Sequence, residues 1–496
     1  MDRFIMIGTV VVFVENRLQS GFTYAELERA VGFSLPHIRA TFAEHTGESL
    51  SRYVLGRRIA NAAFEMTHSK QSILDIAIKY GFSNPDSFTR AFRRVTGVNP
   101  VDFRKGKRTV TRSKLCAGVV GVSLNPAGDK TYRDMTERMN SMEQKHESDG
   151  SVVLYGVPRV HYGAFGGCTP YPISLKAVAN YMGISLDYED AMTECGAAFR
   201  LTWDTTCWNE GNVDVMFAFD DPMAVYQSGI EALGYECKLL GRASDDDETK
   251  AVFVSLIKES IGKGIPVIAL GIIGPPEACV ITGYRDEGKT LLGWNCFQDS
   301  PECAADVTFD ESGYFVTSAW WENKDTLAVM TMGEKVGEPQ PLKRIVERAI
   351  TVLSGRQAGN YAKGIAAYGA WKKALLDEGS FGEGMAQSLL VQRLMCQGDA
   401  MDCLSDGRKN AYKYFHKLAE KEPEQPLFAR IAEQFAASAT CAHRMYETLG
   451  GWERGEKQMQ ALARRDVRET IGRLIDECKT ADEKVLDLLR ELAAAL

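Results

Sequence analysis

Histidine is scarce in this chain: seven residues in 496, at positions 37, 45, 68, 146, 161, 416 and 443, with none between Cys168 and His416. A thiol or hydroxyl nucleophile needs a base that takes and returns a proton near neutral pH, and histidine ordinarily titrates there. Most of the chain therefore lacks the usual means of nucleophilic catalysis. No apolar run approaches the roughly 20 residues of a membrane-spanning helix, so no membrane partner is expected. The twelve cysteines lack CxxC pairs and the Cys/His spacing of zinc sites. That excludes the standard zinc modules and makes reduced, cytoplasmic thiols the expected state. No glycine-rich phosphate fingerprint occurs, so a nucleotide has no support and no cofactor or metal is expected. What remains is an ordinary apolar share, 45%, over a length sufficient for about three domains. The start, MDRFIMIGTVVVFVENR, reads as an amphipathic helix rather than a signal peptide.

The informative stretch runs from Ser72 to Arg104, SILDIAIKYGFSNPDSFTRAFRRVTGVNPVDFR. Ile73, Ile76 and Ala77 recur at the spacing of a helix's buried stripe, and Gly81 stands where that helix must stop. Ser83 or Asn84 can cap a second helix, Pro85 suits its first turn, and Phe88, Phe92 and Val95 form the next apolar stripe. Its outer side carries Asp86, Ser87, Thr89, Arg90, Arg93 and Arg94, side chains able to bond bases and neutralise phosphates. Upstream, Tyr24 to Gly47 repeats the layout, with a turn at Gly32-Phe33-Ser34 and a second helix carrying Ile38 and Phe42. Arg52 to His68 reads as a linking helix with Tyr53, Leu55, Ile59, Ala62, Ala63 and Met66 inward. Two such units in about a hundred residues argue for paired readers of successive major grooves.

On these motifs, residues 5 to 107 resemble the DNA-binding domain of AraC/XylS-type transcription regulators. The resemblance implies that bases are read from the first half of each recognition helix: Pro36, Arg39 and Ala40 in the first unit, Asp86, Thr89 and Arg90 in the second. An arginine there can clamp guanine in a bidentate way. It also implies double-stranded DNA as partner and a homodimer. Charge agrees: residues 1–108 hold 16 Lys and Arg against 10 Asp and Glu, a surplus of six that leaves the remainder near −14 within a total of −8.

Residues 109–150 mix Gly, Ser, Asn and charge and read as a linker, with a short helix around Tyr132 to Met142. Beyond it, Ser151 to Tyr155 reads as a strand, Gly166 to Gly183 places Cys168 at the start of a helix, and Lys250 to Lys263 reads as a helix. Pro266 to Gly271, Ala278 to Gly283 and Leu291 to Phe297 read as strands. A thiol at a helix N-terminus feels the positive end of the dipole and can have a lowered pKa. Helix with cysteine first, strands after, resembles papain-like cysteine peptidases, in particular bacteriocin-leader peptidases and the butirosin-biosynthesis acyltransferase type, over residues 150 to 335. That resemblance implies a catalytic histidine where Glu277 stands in EACVITGYRDEG, and an orienting side chain near Asn295 or Asp299. A glutamate could replace the histidine only with a strongly raised pKa, and would then oppose thiolate formation.

Three readings of this region follow: a ligand-sensing pseudoenzyme, an acyl- or amide-transferring thiol enzyme using Cys168, and a structural module. The first is the expectation, with a small organic effector as ligand. Candidate ligand residues are Cys168, Phe199, Arg200, Trp203, Asp204, Trp208, Asn209, Glu277, Trp294, Asn295 and Phe297; core filling is the alternative for each tryptophan. From Pro341 onward the pattern is helical, predicting six to eight helices in a bundle. The expected architecture is multidomain: an all-α double helix-turn-helix domain (1–108), a linker (109–150), an α+β papain-like domain (151–337) and an all-α bundle (338–496).

Overall fold

The computed structural model describes residues 22–46, 49–68, 71–105 except 83, 97 and 98, and 145–496 except 149, 164–166, 299–302, 304–306, 382–384 and 386, with scattered positions before 22. Most of the linker and its expected helix, most of the amphipathic start, and Asp299 lie outside the described residues.

The N-terminal unit is helical. Helices α1 (Tyr24–Val31), α2 (Leu35–Thr46), α3 (Leu50–His68), α4 (Ile73–Lys79), α5 (Pro85–Thr96) and α6 (Pro100–Arg104) follow the predicted order. They enclose their own core, in which Leu27, Ile38, Phe42, Ile59, Ile76, Phe88 and Phe92 are buried. Leu55 and Val95 are only half-buried against it, and nothing is described of the Ala63 side chain.

Downstream, nine strands among the described residues form one sheet, antiparallel in every pairing. They are β1 (Lys145–Ser148), β2 (Ser151–Leu154), β4 (Tyr235–Gly241), β5 (Val267–Leu270), β6 (Ala278–Arg285), β7 (Thr290–Trp294), β8 (Thr308–Phe309), β9 (Phe315–Thr317) and β10 (Ala328–Lys335). The order is β4-β10-β5-β6-β7-β9-β8, with the β1–β2 hairpin joining through β2 and β6. Apolar β6 is buried along nearly its whole length, with α7 (Pro170–Tyr181) and α10 (Asp247–Gly262) packed against it. Short helices α8 (Tyr188–Glu194) and α9 (Ala224–Ala232) lie between these two in sequence. Strands β4 and β10 escape the periodicity reading: the first is only half-buried and alternates charge with apolar residues, and the second ends in Gly-Glu-Lys.

The C-terminal third forms α11 (Leu342–Ser354), α12 (Ile365–Leu376), α13 (Gln387–Lys421), α14 (Pro426–Leu449), α15 (Glu456–Ala463) and α16 (Arg465–Ala495). Helix α13 is 35 residues long. Gly407 lies inside it where the backbones come close: a Cβ there would meet the Ala198 carbonyl oxygen at 2.6 Å. The helices share one core with the sheet: Phe415, Phe428, Phe435 and Leu489 pack in the cluster that holds Val280 and Leu292. A small second sheet repeats the link, β3 (Thr202–Asp204) pairing with β11 (Tyr361–Lys363). Between α13 and α16, Arg408 and Asp482 form a fully buried ion pair at 2.7 Å.

Candidate nucleic-acid interface and candidate ligand recess

In the first helix-turn-helix, Thr23 caps α1 and Glu26 reaches back to it, so that two orphan backbone donors are satisfied reciprocally. Gly32 turns the chain in the left-handed region at φ 76°, a conformation costly to other residues. The recognition helix α2 then begins, its Leu35 amide donating to the Glu28 carboxylate at 2.6 Å. Ile38 and Phe42 are buried, which leaves Pro36, Arg39 and Ala40 exposed on the other face, as the candidate contacts require. Arg39 lies over the ring of Tyr24, 4.7 Å from its centroid.

The second unit repeats the plan. Ser72 caps α4, and Gly81 turns at φ 77°. Asn84 caps α5, its side-chain oxygen accepting from the Ser87 amide at 2.8 Å; Ser83, the other candidate cap, lies outside the described residues. With Phe88, Ala91 and Phe92 inward, Asp86, Arg90, Arg93 and Arg94 are exposed and Thr89 is half-buried. Arg93 and Arg94 occupy the last turn of α5, where cations suit the helix dipole.

Cys168 precedes Thr169, the residue before α7, so the thiol stands just outside the helix rather than in its first turn. Cys168 is exposed to solvent and stands among Asp406, Asp402 and Arg200, surroundings that form the candidate recess. The partner that the fold supplies is a carboxylate. Asp406 of α13 accepts from the Cys168 amide (3.3 Å), the Thr169 hydroxyl (3.0 Å), the Tyr188 hydroxyl (2.7 Å) and the Asn410 amide group (3.0 Å). Burial first, then the charges of Asp406 and Asp402, push the thiol well above its ordinary value and outweigh Arg200. The expected lowering by the helix dipole is thus reversed, chiefly by burial, with the two carboxylates on α13 adding to it.

Glu277 is also drawn to this recess. Burial and the nearby Asp214 carry its carboxyl up to about 8, against the opposing charge of Arg200. The Tyr162 phenol is raised by burial and by Cys296, Glu277, Cys168 and Asp399 around it. Arg454 binds Asp399 and Asp402, and Tyr446 donates to Asp402. Two residues beyond Arg454, Glu456 pairs with Arg17 at 3.1 Å, tying the segment before α1 to the C-terminal helices.

Of the other candidate ligand residues only Arg200 and Phe297 converge here. Arg200 does so through Thr169 at 3.4 Å and the Ala197 carbonyl at 2.9 Å. Phe199 is wholly buried in the main core, and Trp203 and Trp208 lie in a second core with Trp371 and Phe381. Asp204 folds onto its own loop, accepting from Thr206 and Asn209, and its carboxyl is held at about 2 as those bonds overcome its burial. Asn209 also donates to the Tyr361 hydroxyl at 2.9 Å. Trp294 is buried and donates to the Val157 carbonyl; Asn295 spends its side chain on the Ile273 carbonyl and the Phe297 amide. Phe297 alone among these reaches the recess, edge-on to Tyr162 at 5.5 Å. The core-filling alternative therefore describes Trp203, Trp208 and Trp294.

Sequence reasoning missed Tyr162, Asp399, Asp402, Asp406, Tyr446 and Arg454. The available signal was the polar run in α13, where Gln397, Asp406, Arg408 and Asn410 are buried on a helix that otherwise packs by apolar residues. Among the described residues no cluster of His, Cys, Asp or Glu could hold a metal ion, and no helix is long and apolar enough to cross a membrane.

Residues 27–106 match a family model described as a helix-turn-helix domain. The chain is similar to the transposon Tn10 TetD protein of Escherichia coli, 31% identical over 102 residues that make up 21% of this chain and 74% of that protein. It is also similar to an uncharacterized HTH-type transcriptional regulator of Staphylococcus aureus, 30% identical over 111 residues, 22% of this chain and 15% of that protein. The corresponding regulator of strain MRSA252 is 29% identical over the same share of each chain. The chain thus spans most of the TetD protein but about a seventh of the staphylococcal regulators.

Proposed function

Because the chain belongs to the AraC-type helix-turn-helix family of transcription regulators, we propose that the whole protein regulates transcription by binding double-stranded DNA through residues 1–108, as a homodimer in the cytoplasm. The observation that carries this reading is the pair of recognition helices, each with its apolar side in one core and Arg39 or Arg90 exposed on the other side. Arg90→Ala should weaken binding and relax base preference, since a bidentate arginine–guanine contact is worth about 1–3 kcal/mol of discrimination. Unchanged affinity and specificity in a gel-shift titration of the full chain would refute the contact.

The region from residue 145 onward is, in this proposal, a papain-like pseudoenzyme that senses a small organic effector in the recess around Cys168. A carboxylate partner, a thiol whose pKa is raised and a glutamate at the histidine position support binding over turnover. The Arg17–Glu456 pair, two residues from Arg454, supports coupling to the DNA reader; an effector shifts DNA occupancy only through different affinities for two arrangements of the chain. Cys168→Ala should leave DNA binding intact and alter effector affinity, read by thermal unfolding of the full chain against a panel of metabolites. Loss of an acyl- or amide-transfer turnover in that variant would establish the enzyme instead.

A further inference from the structure

We propose that Tyr24 is a positioning residue for sequence readout by the first helix-turn-helix, acting by holding the Arg39 guanidinium over its ring in a geometry ready for a guanine. The proposal rests on Arg39 being a base-contacting residue. Tyr24 opens α1 and is 38% exposed, so its ring is spent only in part on the core. Phe22 braces that ring edge-on at 6.3 Å, and the hydroxyl meets Ser51 Oγ at 3.3 Å, on the first turn of α3. The ring is thus held from both sides, by the segment before α1 and by the linking helix.

Arg39, one helix away on α2, lies 4.7 Å from the ring centroid. A cation over a ring is attracted through its face, whereas the five N–H donors of a guanidinium point outward in its own plane. Contact with Tyr24 takes up the face of the Arg39 cation and part of its donor set, through the ring and the phenol oxygen, and leaves the remaining N–H groups for guanine N7 and O6 while removing rotamers that a free arginine would lose on binding. The same contact reaches the phenol, whose pKa is lowered by the Ser51 hydrogen bond and then, against some burial, by Arg39. The second unit has no aromatic cation contact to Arg90 among the described residues, so the device distinguishes the two readers.

The test uses the full chain and a pool of duplex DNA randomised across the binding site, selected by affinity and sequenced, for wild type, Arg39→Ala, Arg90→Ala, Tyr24→Phe, Tyr24→Leu and Tyr24→Ala. Circular dichroism confirms that each variant is folded. Tyr24→Phe keeps the ring and should keep the wild-type preference. Tyr24→Leu and Tyr24→Ala should lose preference at the base pairs that Arg39→Ala erases, with about two- to fivefold weaker binding to the best wild-type site, the scale of an exposed cation–π contact. Positions erased by Arg90→Ala should be unaffected. Retained preference in Tyr24→Leu, or equal weakening at all sequences, would overturn the positioning role while leaving Arg39 as a reader. An unchanged preference in Arg39→Ala would overturn the underlying reading of Arg39 and the inference with it.

Discussion

Replacing Asp406 by asparagine tests whether a carboxylate is the organising partner of the Cys168 recess. In the native protein one oxygen of Asp406 accepts from the Cys168 amide, the Thr169 hydroxyl and the Tyr188 hydroxyl, and the other from Asn410. Asparagine fills the same space but has one carbonyl oxygen, so its NH2 group must face at least one of these donors. Hydrogen bonds to a charged group contribute about 1.5–3 kcal/mol each, and the exchange makes the three at one oxygen neutral bonds and leaves the Asn410 donor facing another donor. We expect a loss of roughly 2–4 kcal/mol. All seven tryptophans lie beyond residue 145, so tryptophan fluorescence during urea unfolding follows this part of the chain without interference from the DNA reader. The substitution should also change the thiol. Burial sets most of the rise in the Cys168 pKa, and the Asp406 charge adds to it; without that charge the thiolate fraction grows. Alkylation of Cys168 by iodoacetamide, mapped by peptide mass spectrometry at mildly alkaline pH, should be faster in Asp406→Asn than in wild type. An unchanged urea midpoint together with an unchanged alkylation rate would refute the reasoning.

Two further outcomes follow from buried charge. Asp482→Ala should destabilise the helical region by about 3–5 kcal/mol, because Arg408 keeps its charge with no counter-ion; their pair is completely buried and also receives the Tyr368 hydroxyl. The same urea assay reads this, and a loss under about 1 kcal/mol would mean that Arg408 finds another partner. Stability should also depend on Glu277. Its carboxyl is raised from 4.5 to about 8, first by burial and then by Asp214. Between those values the folded protein binds more protons than the unfolded chain, so stability is greatest at the acid end and declines as pH rises through the window. Glu194, raised to about 7 by burial and by Asp190, adds to the same slope. Glu277→Gln should flatten the decline in melting temperature between pH 5 and pH 8 without abolishing it, and parallel curves for variant and wild type would contradict the assignment.

Local periodicity and punctuation were enough to read the DNA-binding unit in the sequence. A helix-turn-helix is built from contacts within about twenty residues: Gly32 and Gly81 at left-handed turns, Thr23, Ser72 and Asn84 at caps, and apolar residues three or four apart. Each of these is a property of a short window, so the exposed set of the second unit, Arg90 included, followed without tertiary information, while Arg39 was implied by the family resemblance. The recess is different in kind. Cys168 and Asp406 are 238 residues apart and meet only in the folded chain. Gly407, next to Asp406, lets the backbone of α13 approach Ala198, a role that no local helix signal reveals. Tryptophans that stand among polar residues in sequence, Trp203 and Trp208, were drawn into a core completed by Trp371 and Phe381 from the C-terminal helices. The two DNA-reading units are legible in short windows of chain because their stabilising contacts are local. What surrounds Cys168 emerges on folding alone, because burial and the convergence of distant carboxylates set the charge of a site, and neither is a property of any short stretch of chain.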